Sequence, residues 1–147
     1  MESRVIVCPY CGGLNRAPLS RLEAGEKPEC GRCHEALFDG HPVELATASD
    51  FDRLINRTEI PVVIDFWAGW CAPCQAMAPH FEAAARELEP LIRLAKLDTE
   101  AAPDVSARFA IRGIPTMIVF RNGREVARQS GSLDKGAIVG FVGRAVV

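Results

Sequence analysis

Two cysteine pairs near the N-terminus, Cys8-Pro9-Tyr10-Cys11 and Cys30-Gly31-Arg32-Cys33, restrict what the first forty residues can become. This stretch is rich in Cys, Gly and Pro and has few apolar residues at regular spacing. It buries too little surface to fold without a staple. Two thiolates with two residues between them can meet one metal ion, and the glycines beside them allow the tight turn this needs. Two such knuckles, 18 residues apart, supply the four sulfurs that Zn²⁺ takes in closed structural sites. Cys8, Cys11, Cys30 and Cys33 are therefore the expected metal ligands. A rubredoxin-like iron would use the same four thiolates, and His34 and His41 are alternative ligands by proximity. Two disulfides, or free buried thiols, are the competing non-metal readings. A shell of four thiolates has no open position for water, so the expected role is structural.

The remaining two cysteines form a third pair, Trp70-Cys71-Ala72-Pro73-Cys74, in different surroundings. The 147-residue chain has room for one full core and a small appendage, and its formal net charge of −2 gives no reason to expect capture of nucleic acid or anionic membrane. No apolar run resembles a signal peptide or approaches a membrane span. The expected compartment is the cytoplasm, where thiols stay reduced and cysteine pairs bind metal or do chemistry.

Residues 1–40 read as one unit and 43–147 as a second, with Gly40-His41-Pro42 as the junction. Val43 to Ala46 reads as a first strand, followed by a helix capped by Ser49 with Asp52 three residues on. Val62-Val63-Ile64-Asp65-Phe66-Trp67 is nearly all apolar, as in a strand buried on both faces. A helix is expected from about Cys71 through Leu88, with Pro79 inside it. Leu91 to Leu97 reads as a strand, and Pro103 to Phe109 as a short helix. Asn122-Gly123 between two strand-like runs predicts a hairpin, and an amphipathic helix over 134–145 closes the chain. The order β-α-β-α-β-α-β-β-α predicts an α/β fold: a mixed central sheet, parallel at first and ending in an antiparallel hairpin, with helices on both faces.

Cys71 falls where a buried strand hands over to a helix. Unpaired backbone N–H groups and the helix dipole favour thiolate there. Cys71 is expected to be the exposed nucleophile and Cys74, one turn in, the buried resolving thiol. Pro73 suits the first helical turn. Asp65 interrupts the apolar strand six residues before Cys71; if buried, its raised pKa would make it a proton acceptor. Otherwise it is a strand residue facing solvent. Lys96 is a similar isolated charge, either solvated or paired with Asp65 across adjacent strands. Pro115 in Ile114-Pro115-Thr116 stands before an apolar strand and could hold a cis bond or a trans turn.

Residues 43–147 resemble thioredoxins along their whole length. The matching pieces are Val62 with Ile64-Asp65-Phe66-Trp67-Ala68, Trp70-Cys71-x-Pro73-Cys74, Ala95-Lys96-Leu97-Asp98, Arg112-Gly113-Ile114-Pro115-Thr116 and Asn122-Gly123. With its four-cysteine extension the whole chain resembles the bacterial thioredoxin 2 type, so the fold implied is a thioredoxin fold preceded by a small zinc-ribbon-like unit. The resemblance implies a protein-disulfide reductase acting on disulfide-containing proteins through Cys71 and Cys74, with a monomer as the default oligomeric state. A redox-active disulfide would form between these two, and an NADPH-dependent thioredoxin reductase would re-reduce it. It also implies a cis Pro115 beside the dithiol and a substrate groove formed by Trp70, Ala72, Pro73, Ile114, Pro115 and Gly131. Asp65 would be the base acting on Cys74, with Lys96 as its partner. Ala72 stands where the family usually has Gly, and Gln75 where many members carry Lys; both changes bear on the thiolate–disulfide balance. Two rival functions share these features. One is a disulfide isomerase or oxidase, marked by a less negative potential. The other is a zinc-dependent, chaperone-like binding module, which would keep its activity without Cys71.

Overall fold

A computed structural model describes residues 2–147. The N-terminal unit is more regular than its composition suggests. Strands β1 (Ser3–Val7) and β2 (Leu14–Pro18) pair antiparallel, and a short helix α1 (Leu19–Glu23) follows. Ile6, Leu22, Leu37 and Phe38 pack with Cys8 and Cys30 into a small core of its own.

The second unit contains β3 (Val43–Leu45), α2 (Ala48–Arg57), β4 (Val62–Trp67), α3 (Ala72–Leu88), β5 (Arg93–Asp98), α4 (Pro103–Arg108), β6 (Thr116–Arg121), β7 (Arg124–Ser130) and α5 (Lys135–Ala145). Its sheet runs β3-β5-β4-β6-β7, with β3, β5 and β4 parallel and the β6–β7 hairpin antiparallel. This is the expected mixed sheet. β4 lies at its centre, which is why its sequence is apolar on both faces. Alternation along β4 feeds two cores. Val62, Ile64 and Phe66 pack with Phe51 and Leu54 of α2. Val63 packs with Met77 and Phe81 of α3 and Ile138 of α5.

Two boundaries differ from the sequence reading. Thr47, not Ser49, caps α2: its hydroxyl accepts from Asp50 N–H at 3.0 Å. Phe51, Leu54 and Ile55 form its buried face. Strand β5 begins at Arg93 and not at Leu91, which is exposed before it. The Asn122-Gly123 turn has the two positive φ angles, 53° and 79°, that such a hairpin requires.

The two units are packed together. Val5 and Glu59 exchange two hydrogen bonds of 2.8 Å, and Ile60 enters the N-terminal core. The buried guanidinium of Arg93 donates to the Leu37 carbonyl, lies 4.1 Å from the Phe38 ring centroid and pairs with Glu89 at 3.2 Å. His41 hydrogen-bonds Glu82 of α3. Among the described residues, no helix is long and apolar enough to cross a membrane.

Candidate active site and cysteine cluster

At the end of β4 the chain passes through Ala68, Gly69 and Trp70 and enters α3 at Cys71, whose extended backbone makes it the N-cap. Cys71 Sγ accepts from Cys74 N–H at 3.2 Å, the contact that a capping hydroxyl would make. Pro73 fills a first-turn position where no amide donor is needed. Cys71 and Cys74 are joined in a disulfide with their Cα atoms 5.3 Å apart. Both cysteines are buried, at 4% and 3% exposure. Cys71 is therefore not the open nucleophile expected from sequence in this oxidised state. It packs with Ala68, Cys74, Trp67 and Ile114, and its sulfur lies 3.7 Å from the Ile114 carbonyl.

The surface over the disulfide is exposed. Trp70 is 71% exposed, and Ala72 and Pro73 are open to solvent. The Ile114–Pro115 bond is cis, and the Pro115 carbonyl accepts from Gly131 N–H at 2.9 Å, tying the loop after β7 to this edge. Gly131 has φ +98°, a conformation suited to glycine. Trp70, Ile114, Pro115 and Gly131 thus come from three separate segments. Glu100 joins them unforeseen: its carboxylate accepts from the Trp70 indole N–H at 3.0 Å. Thirty residues separate the two, and no sequence pattern links them.

Asp65 is 1% exposed, which settles its orientation. It is one strand step from Val63, which packs on Met77 and Phe81, and one from Trp67, which packs by Cys74. Its carboxyl therefore points into the layer between β4 and α3, behind the disulfide. Neither oxygen has a hydrogen-bond partner. Burial pushes its pKa up to about 7, against the pull of Lys96. Lys96 is the register neighbour of Asp65 across β4 and β5, as a pairing requires. Its ammonium, however, lies over the Trp67 ring at 4.6 Å from the centroid and makes no hydrogen bond to Asp65.

At the other site, the sulfurs of Cys8, Cys11, Cys30 and Cys33 all lie within 4.8 Å of one another. Cys8 and Cys33 are 3.6 Å apart and Cys11 and Cys30 3.7 Å. A tetrahedron of Zn–S bonds of about 2.3 Å has edges of about 3.8 Å, so the four fit that ion. Each knuckle aims amides at its sulfurs: Tyr10 N–H to Cys8 and Gly13 N–H to Cys11, both at 3.4 Å, and Arg32 N–H to Cys30 at 3.3 Å. The Asn15 amide also donates to Cys30 at 3.4 Å. Cys30 is lowered to about 6, chiefly by the Cys33 amide, whereas Cys33, despite the Glu35 amide, is pushed up to about 12 by burial and by the neighbouring sulfurs. The cluster contains neither His34 nor His41.

Comparison with known proteins agrees with both sites. Residues 42–144 match the family model described as Thioredoxin, and residues 7–35 match that described as Thioredoxin 2, N-terminal, a zinc ribbon. The chain is 46% identical to Thioredoxin C-3 of Corynebacterium nephridii over 129 residues, covering 88% of this chain and 86% of that protein. It is 33% identical to the thioredoxin of Haemophilus influenzae over 98 residues, 67% of this chain and 92% of that one. Among solved structures, Fasciola hepatica thioredoxin superimposes with a TM-score of 0.64 at 35% identity, covering 69% of this chain and 97% of that one.

Proposed function

This chain belongs to the thioredoxin family of thiol–disulfide oxidoreductases, and from that premise we propose that it is a protein-disulfide reductase with a structural zinc site. The observation that carries the reading is the Cys71–Cys74 pair at the start of α3, backed by the buried Asp65. In the reduced protein, the thiolate of Cys71 attacks one sulfur of a substrate disulfide. A mixed disulfide forms and the other substrate sulfur leaves as thiolate. Asp65 takes the Cys74 proton; the Cys74 thiolate then attacks Cys71 Sγ, the mixed disulfide breaks and the second substrate sulfur leaves as thiolate, so two electrons have passed to the substrate and the disulfide found here is formed.

Trp70, Ala72, Pro73, Ile114, Pro115 and Gly131 form the groove for the substrate's extended chain, and Lys96 moderates the charge on Asp65. Cys8, Cys11, Cys30 and Cys33 hold Zn²⁺, which closes the unit spanning residues 1–40; residues 43–147 are the catalytic domain. The protein works as a monomer in the cytoplasm. An NADPH-dependent thioredoxin reductase returns the disulfide to the dithiol.

The deciding measurement is the reduction potential of the Cys71–Cys74 couple in zinc-loaded protein. A value in or below the range of the cytosolic glutathione poise, roughly −220 to −320 mV, is expected of a reductase. A clearly more oxidising value would assign the protein to isomerase or oxidase work and trace the change to Ala72 and Gln75.

A further inference from the structure

A line of charge crosses the sheet behind the disulfide. Strand β5 pairs in parallel with both neighbours, so Lys96 stands opposite Asp65 of β4 on one side and Glu44 of β3 on the other. Register partners project from the same face of a sheet. All three charges therefore share the face that carries Val63 and Leu94, the one covered by α3 and α5. Exposure grades along the line: Asp65 is buried, Lys96 half-buried and Glu44 exposed on the edge strand. The one ammonium stands in register between the two carboxylates, lies over the Trp67 ring and touches neither carboxylate directly, so it acts on both through its field.

We propose that Glu44 is a positioning residue for the dithiol reaction: by sharing Lys96 with Asp65, it sets the pH at which Asp65 can take the Cys74 proton. This rests on the reading of Asp65 as that acceptor. After burial, the charges acting on Asp65 are Lys96, which favours its ionised form, and Glu44, which opposes it. The element on its other side, β6, presents the uncharged Met117 at the same level, and α3 presents Cys74. Glu44 itself lines two clefts between the two units, one of about 250 Å³ shared with Tyr10, Asp39, His41 and Arg93, and one of about 300 Å³ shared with Tyr10, Cys8, Cys11, Asp50 and Arg53. The N-terminal unit therefore borders the outer end of the line while the disulfide lies near its inner end. Two strand spacings separate Glu44 from Asp65, so its influence on the reaction passes through charge and not contact.

The test is the titration of the Asp65 carboxyl carbon by NMR in full-length, zinc-loaded, oxidised protein. Glu44→Gln is expected to lower the midpoint by about 0.3 to 0.5 pH unit at low salt, as for a charge two strands away in a partly exposed setting. Glu44→Lys is expected to lower it about twice as far, and salt of about 1 M to erase most of both shifts. The pH profile of mixed-disulfide release by Cys74 is expected to move with the midpoint. An unchanged midpoint in both variants, or shifts indifferent to salt, would overturn the proposal. A midpoint that moves while the release profile stays fixed would instead overturn Asp65 as the acceptor.

Discussion

Replacing Asp65 with alanine is expected to stabilise the protein, and by an amount that grows with pH. The carboxyl ionises at 3.8 in its ordinary state and at about 7 in the fold, where burial is the main cause. Below 3.8 both folded and unfolded chains hold the proton, and the site contributes nothing. Between 3.8 and about 7 the unfolded chain releases the proton while the folded chain keeps it, so stability falls as pH rises. Above that window both forms are ionised and the penalty is constant. At about 1.4 kcal/mol per pH unit, the full penalty is about 4 kcal/mol, and at pH of about 5.5 roughly half of it applies. Deleting the carboxyl also leaves a small void, which costs roughly 1 kcal/mol at any pH. The variant should therefore exceed the parent by about 3 kcal/mol near pH 8.5 and about 1 kcal/mol near pH 5.5. Urea denaturation of the oxidised, zinc-loaded proteins at the two pH values reads this directly. A stability difference that is the same at both would refute the reasoning, because it would mean that Asp65 ionises alike in the folded and unfolded chains.

Two further predictions concern the N-terminal unit. Metal analysis is expected to find one zinc per chain, and chelation is expected to abolish hydrogen-exchange protection in β1 and β2; retained protection in metal-free protein would exclude the structural role. Arg93→Met is expected to destabilise by about 3 to 5 kcal/mol, since it leaves the 1%-exposed Glu89 side chain without its cation. Adding Glu89→Gln should recover most of that loss in the same denaturation assay, and failure to recover would show that the cost lies in the Leu37 and Phe38 contacts instead.

The features legible in the sequence are those fixed by local chemistry. β4 could be read because a strand buried on both faces must be apolar throughout, and the hairpin because Asn122-Gly123 accepts two positive φ angles. The four-cysteine cluster could be read because knuckle spacing alone brings sulfurs together. The cap of α2 was ambiguous for a local reason as well: Thr47 and Ser49 both carry the necessary hydroxyl, and in the fold it is Thr47 that accepts from the Asp50 amide. The burial of Cys71 depends on Ile114, which arrives more than forty residues later in the loop leading into the neighbouring strand β6, and the Trp70–Glu100 bond depends on how β5 leads into α4. Neither leaves a mark near the residues concerned.

Arg93 and Lys96 make the same point from within one strand. In the sequence they look alike, two cations interrupting an apolar run, yet they do opposite things. Arg93 is 1% exposed, and its planar group meets three demands at once: the Glu89 carboxylate, the Leu37 carbonyl and the face of Phe38. A lysine, as a point charge, could not meet all three. Lys96 sits three residues on, half-buried, between two carboxylates, where a compact charge on a flexible stem can be divided among neighbours. The difference arises because the N-terminal unit packs on the sheet at the level of Arg93. Zinc held as proposed, by fixing Cys30 and Cys33 just ahead of Leu37 and Phe38, would therefore also fix the partners of the charge buried at Arg93. On that account the metal site and the sheet should melt together, and separate transitions for the two units would contradict it.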